Sequence, residues 1–199
     1  MTPGAFLTDP PSSAEVTAAY EADLADDGCV NNLTRVWCWR PDVLTSFQTL
    51  RAELTADSGL SPREIAVMVA ATAAVRGDSY CALAWGDRLA ALSDDVTAAN
   101  VLRGDPAGLS DRERALNDWS RRVALEPNAT TEADIDHLRQ AGLSDREIFE
   151  ATTWIAFRMA FATINDALGA RPDWQLAEKA PKLVREAVTY GRHPSSDVT

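Results

Sequence analysis

The sequence predicts an all-α protein built as a helical bundle, and three observations carry the prediction. A Leu-Ser-x-Arg-Glu signature occurs three times, at Leu60 to Glu64, Leu109 to Glu113 and Leu143 to Glu147, each time opening an apolar periodic segment. Ala, Leu, Glu and Arg, all strong helix formers, dominate the segments between turns. No stretch alternates apolar and polar residues with period two over the length of a strand.

In chain order, helical patterning runs over Ser13 to Asp26 and Pro41 to Asp57 before the first signature. Each signature reads as a capping box. Ser61, Ser110 and Ser144 accept the backbone N–H three residues on, while Glu64, Glu113 and Glu147 reach back to the cap N–H, satisfying donors that a helix start leaves unpaired. Pro62 at the first helical position strengthens the first box. Further helices are expected over Ser93 to Leu102, Asp111 to Leu125, Thr131 to Ala141 and Lys179 to Tyr190. The blocks Leu60 to Leu89 and Leu143 to Pro172 share a longer likeness, each a capped apolar helix followed by a second helix, and read as an internal repeat of helical hairpins. The N-terminal residues 1–12, running into Pro10-Pro11-Ser12-Ser13, and the tail from His193 to Thr199 read as disordered or loosely docked ends. No linker divides the chain, so one domain over residues 1–199 with its core in 60–170 is expected.

Composition narrows the function classes. A chain of 199 residues, 46% hydrophobic and 25% charged, is long enough to bury a substantial core. Its net charge of -11 and pI near 4.6 disfavour the cationic surface that nucleic acid or anionic lipid requires. No apolar run reaches membrane-span length, and the first residues lack a basic stretch followed by an apolar one, so a cytoplasmic location is expected. Cys29, Cys38 and Cys81 are an odd number, which argues against a disulfide scaffold. Neither they nor His137 and His193 stand at zinc-ligand spacing, so no metal is expected.

The segment Gly77-Asp78-Ser79-Tyr80-Cys81-Ala82-Leu83-Ala84-Trp85 carries a resemblance. It is similar to the Gly-Cys-x-Tyr-Cys-x-x-x-His motif of the carboxymuconolactone decarboxylase and alkylhydroperoxidase D family, in its peroxidase-related branch. The Gly, the Tyr and the second Cys are kept, with Asp78 at the first Cys and Trp85 at the His. Asp166-Ala167-Leu168-Gly169 matches the ending of the family's later helix, and Arg40-Pro41-Asp42 the segment that precedes its core. The resemblance implies a helical fold of the alkylhydroperoxidase D type that assembles into homo-oligomers and needs no cofactor. It also implies a thiol relay in which the second Cys attacks a peroxide and the first resolves it, with a Glu and a His moving protons. Here Cys81 matches the attacking Cys, Ala66 falls where the relay Glu is expected, and Ala162 and Thr163 replace a common Asn and Arg.

Residue chemistry leaves alternatives open. With Asp78 as N-cap, Cys81 lies in the first turn of its helix, where the dipole favours a thiolate, while the Asp78 carboxylate opposes one. Asp78 reads either as a cap or as a proton-handling group beside the substrate, and Cys81 either as a nucleophile or as a packed apolar residue. Trp85, one turn beyond Cys81, shares its face and reads as core or as a wall against an apolar ligand. Tyr80 and Ser79 are candidate hydrogen-bonding support. Trp154, Arg158 and Glu150 share one face of the later helix, with Arg158 either an anchor for an anionic substrate or half of a solvated ion pair.

Three functions are compatible with these residues. The first is a one-cysteine, thiol-dependent hydroperoxide reductase that acts on an organic hydroperoxide and is recycled by an external thiol or by Cys29 or Cys38. The second is an oligomeric small-molecule-binding protein that has lost the relay. The third is a decarboxylase or isomerase using Asp78 as acid or base.

Overall fold

A computed structural model describes residues 4–196, and those residues contain helices and no strand. The helices are α1 (Ala14–Asp27), α2 (Asn32–Trp37), α3 (Pro41–Ala56), α4 (Pro62–Arg76), α5 (Ser79–Leu92), α6 (Asp95–Arg103), α7 (Asp111–Leu125), α8 (Glu132–Gln140), α9 (Asp145–Ala167), α10 (Trp174–Lys179) and α11 (Lys182–Ala187). No helix among the described residues is long and apolar enough to cross a membrane.

Helix α4 is the axis of the bundle. Its residues Ala66, Val67, Met68, Ala70 and Ala71 have no exposed surface, because α5, α6, α7 and α9 pack around it. A helix apolar on every side is stable only when wrapped in this way. A second, smaller core joins α1, α2 and α3 to the far half of α9 through Trp37, stacked on Phe161 at 4.9 Å, and Phe47 at 5.3 Å from the same ring. Trp37 also donates its indole N–H to Asn165 Oδ1 at 2.8 Å. Trp39, two residues on, is 44% exposed.

All three capping boxes form as the sequence predicts. They also do something the sequence reading did not foresee. The arginines of the first two signatures cross to a neighbouring helix: Arg63 Nε donates to Glu113 Oε1 at 2.6 Å, and Arg112 donates to Glu64 Oε1 at 2.5 Å and to Glu147 Oε1 at 2.6 Å, whereas Arg146 of the third pairs with Glu150 on its own helix and with Asp57. Each glutamate therefore closes its own helix start and receives a guanidinium from another, tying the N-termini of α4, α7 and α9 into one charged knot. Burial pushes the Glu113 carboxyl up, but the Ser110 N–H and hydroxyl together with Arg63 outweigh it and hold it below the ordinary value.

Several boundaries differ from expectation. The likeness of the two blocks extends through the capped first helix and stops there. Leu60 to Leu89 forms the two helices α4 and α5, broken by Gly77 in the left-handed conformation (φ 68°) and restarted by Asp78, whereas Asp145–Ala167 runs unbroken for 23 residues. Ala160 and Phe161 sit where the break would fall, and neither residue ends a helix. The helix expected over Lys179 to Tyr190 is instead α10 and α11. Pro181 holds Ala180 in an extended conformation between them (φ -60°, ψ 140°).

The ends are more firmly docked than expected. The Phe6 N–H donates to the Leu168 carbonyl at 2.9 Å and the Arg171 N–H to the Gly4 carbonyl at 2.8 Å, while the Ser195 N–H reaches the Pro172 carbonyl at 2.8 Å. Residues 1–3 and 197–199 of the expected loose ends lie outside the described residues.

Candidate functional site

Gly77 and Asp78 place the site. The Asp78 N–H closes the end of α4 on the Ala73 carbonyl at 3.0 Å, and the Asp78 carboxylate then accepts the Cys81 N–H at 3.0 Å as N-cap of α5. This puts Cys81 in the first turn, as the sequence predicts. The side chain at Asp78 is fully buried, and its second oxygen, Oδ2, has no partner.

Helix α9 supplies the opposite wall. Arg158 Nη2 donates to Cys81 Sγ at 2.7 Å, and the same guanidinium lies over the rings of Trp85 at 5.5 Å and Phe161 at 4.8 Å. Trp85 meets Trp154 edge to face, with centroids 6.3 Å apart and planes at 73°. Cys81, Asp78, Trp85, Trp154 and Arg158 are thus gathered at one place, as the shared helix faces imply.

Ser79 and Tyr80 are not part of it. Consecutive residues of a helix point about 100° apart, so three in a row face three different directions. The Ser79 hydroxyl donates to the Arg192 carbonyl at 2.7 Å, holding the C-terminal segment. The Tyr80 hydroxyl donates to Asp173, lining a separate cavity of about 680 Å³ together with Cys29. Burial first and the Asp173 charge second raise the Tyr80 phenol well above its ordinary pKa, so it stays a donor.

The expected trio on α9 also separates. Glu150 and Arg158 are two turns apart, too far to pair. Glu150 instead accepts from Arg146 Nε at 2.8 Å and from the Ser58 hydroxyl at 2.9 Å, and Arg158 is buried rather than solvated.

Chemically, burial favours the protonated thiol. Cys81 is 4% exposed and lines none of the cavities described here. Burial pushes its pKa far above the ordinary thiol value; the Arg158 charge pulls it back in part, and Asp78 adds to the rise. Cys38 is packed in the Trp37 cluster and Cys29 lines the Tyr80 cavity, so neither shares a cavity with Cys81. Among the described residues no group of three or more His, Cys, Asp or Glu could hold a metal ion.

Space for a ligand lies on the other side of the tryptophans. A cavity of about 490 Å³ is lined by Trp85, Trp154, Leu60, Ile65, Arg51 and Arg88, together with Pro62 and small residues of α3. The sequence reading missed Arg51 and Arg88. Arg88, one turn beyond Trp85 and 5.1 Å over its ring, was findable from helical spacing, whereas nothing in the sequence marks Arg51.

No protein-family model and no curated protein matches the sequence. Solved structures do match its fold. An uncharacterized peroxidase-related protein from Silicibacter sp. TM1040 superposes with a TM-score of 0.77 at 21% identity, over 87% of this chain and 93% of that one. A peroxidase-related protein from Ralstonia eutropha JMP134, described as an alkylhydroperoxidase AhpD core, gives 0.75 at 24% identity, over 98% and 100%. The debrominase Bmp8, in complex with 2,3,4-tribromopyrrole, gives 0.70 at 13% identity, over 87% and 95%.

Proposed function

We propose that this chain, which carries the fold of the alkylhydroperoxidase core, is a small-molecule-binding protein that keeps the peroxidase-related architecture without its two-cysteine relay. One observation carries the reading: the lone Cys81 is buried, while a ligand-sized cavity is lined by Trp85 and not by Cys81. A thiol reductase needs a thiolate that a peroxide can reach and a partner to resolve the sulfenic acid. Cys81 has neither in this arrangement. A cavity of this volume, with aromatic walls and a few polar groups, has the character of a small-molecule site. That one protein of the same fold holds a brominated pyrrole accords with such a site. Asp78, the one candidate acid or base for a decarboxylase or isomerase, does not line the cavity and so has no contact with a ligand there. The homo-oligomer implied by the resemblance remains part of the proposal; Phe149, 69% exposed, is a candidate interface residue.

A second reading has one observation in its favour, the bond from Arg158 to Cys81 Sγ, because a guanidinium on sulfur stabilises a thiolate. In it, opening at Trp85 admits a hydroperoxide. The Cys81 thiolate attacks the terminal oxygen, the O–O bond breaks, the departing alkoxide takes a proton from water to leave as the alcohol, and two equivalents of an external thiol return the sulfenic acid to the thiol, releasing water and a disulfide. The two readings part on hydroperoxide-dependent thiol turnover by wild type and Cys81→Ser, with Cys81 followed by intact mass. The binding reading expects no turnover and an unoxidised Cys81. Turnover that disappears in Cys81→Ser would establish the one-cysteine reductase instead.

A further inference from the structure

The cavity behind Trp85 and Trp154 is unusual in its charge. The chain has 30 Asp and Glu against 19 Lys and Arg, and most of its arginines find a carboxylate or a carbonyl. Arg51 and Arg88 have neither a salt bridge nor a side-chain hydrogen bond among the described residues, although both stand on the cavity wall. Behind the wall, Arg158 has no carboxylate partner either, and its Nε is buried without an acceptor. The three charges lie close enough to act on one another: desolvation first, then Arg158 and Arg88, hold the Arg51 guanidinium below its ordinary pKa.

The unpaired groups around the cavity are all donors. Trp154, 3% exposed and part of the lining, has an indole N–H with no acceptor. A buried donor left unpaired is destabilising, so the Trp154 indole is incomplete without an acceptor, while Arg51 and Arg88, exposed and hydrated, are free to take an anion. The rest of the wall is mainly apolar: Trp85 and Trp154 with Leu60, Pro62 and Ile65, and Thr55, whose hydroxyl is taken up by the Arg51 carbonyl.

We propose that this cavity binds an apolar organic anion, of which an aryl carboxylate is the simplest form, its ring against Trp85 and Trp154 and its carboxylate between Arg51 and Arg88. The proposal rests on the binding reading above and specifies its ligand class. Arg51 and Arg88 are exposed at the mouth, so the anion is held at the rim and the ring inside. The edge-to-face tryptophan pair forms an angled apolar corner, and an aryl group seated in it buries area without exposing polar atoms.

The experiment compares 2-naphthoate with its neutral isostere 2-naphthamide by calorimetric titration, in wild type and in an Arg51→Gln/Arg88→Gln double variant. Wild type is expected to bind the carboxylate about tenfold more tightly than the amide, a preference that shrinks with added salt. In the double variant the carboxylate is expected to fall to the level of the amide, with the amide unchanged. Equal binding of the two compounds by wild type, or a preference that survives in the double variant, overturns the anion assignment and leaves the binding reading standing. If neither compound binds wild type, the assignment and the binding reading fail together.

Discussion

Two groups of arginines sit in this bundle, and they are treated in opposite ways. At the gathered N-termini of α4, α7 and α9, Arg63 and Arg112 each reach carboxylates that are already fixed by capping boxes. Around the Trp85 cavity, Arg51, Arg88 and Arg158 reach none among the described residues. Charge alone does not separate the groups, since both are guanidiniums beside half-buried or buried surface. Pairing does. The first group satisfies donors and acceptors within the chain and so belongs to the scaffold; in the second, Arg51 and Arg88 leave their donors open at a cavity, with Arg158 behind its wall, and so belong to a site. In a chain with net charge -11, unpaired arginines are the scarcer feature and the more informative one.

The comparison can be broken by substitution. The largest effect is expected at the knot. Arg112→Met strips Glu64 and Glu147 of their shared partner while both stay partly buried, and should lower unfolding free energy by about 2–3 kcal/mol in urea denaturation. A loss within the scatter of ordinary surface changes would show that the knot is decorative. Next, Gly77→Ala forces a side chain into the left-handed conformation between α4 and α5 and should cost about 1 kcal/mol, although no neighbour crowds the added methyl.

A carboxylate near the site should act in the reverse direction. Burial first, and the Asp78 charge second, raise the Asp166 pKa to about 6, against the opposing charges of Arg192 and Arg76. A carboxyl raised in the folded state contributes stability that is fully present below its unfolded value of about 3.8 and is lost as pH rises through about 6. Asp166→Asn should therefore stabilise the protein at pH 7.5 by ~1 kcal/mol, after allowance for solvent screening, and have little effect at pH 4. The knot has the opposite sign. Glu113 and Glu147 are held below their ordinary pKa, so their contribution is present above the unfolded value and lost as pH falls through the depressed ones. Thermal unfolding of wild type and Asp166→Asn across this range checks both signs.

How much of this was legible follows from how local each feature is. The capping boxes, the Asp78 cap and the first-turn position of Cys81 depend on spacing within one helix and are legible in the sequence, whereas the approach of Arg158 to Cys81 joins two helices and is not. The divergence of Ser79 and Tyr80 from Cys81 follows from the same spacing and was overlooked because the motif invites reading its residues as one unit. The crossing of Arg63 and Arg112 between signatures needs the three helix starts to meet, which no local pattern reports. The break at Gly77 was legible from a glycine, but the continuity of α9 had to be inferred from the absence of one, and the weak likeness between the blocks overrode it. Arg51 reaches the cavity from α3, an element whose packing its sequence does not announce.

The smallest change in stability belongs to the second arginine group, and there the most direct test lies. Thermal unfolding of wild type and of Arg51→Gln/Arg88→Gln, each with and without excess 2-naphthoate, reads stability and ligand linkage in one series. The predicted result is a double variant that melts at or slightly above wild type without ligand, and a rise on adding 2-naphthoate that wild type shows and the double variant lacks. A double variant that melts well below wild type would make these arginines part of the scaffold, and an equal rise in both proteins would remove them from the site.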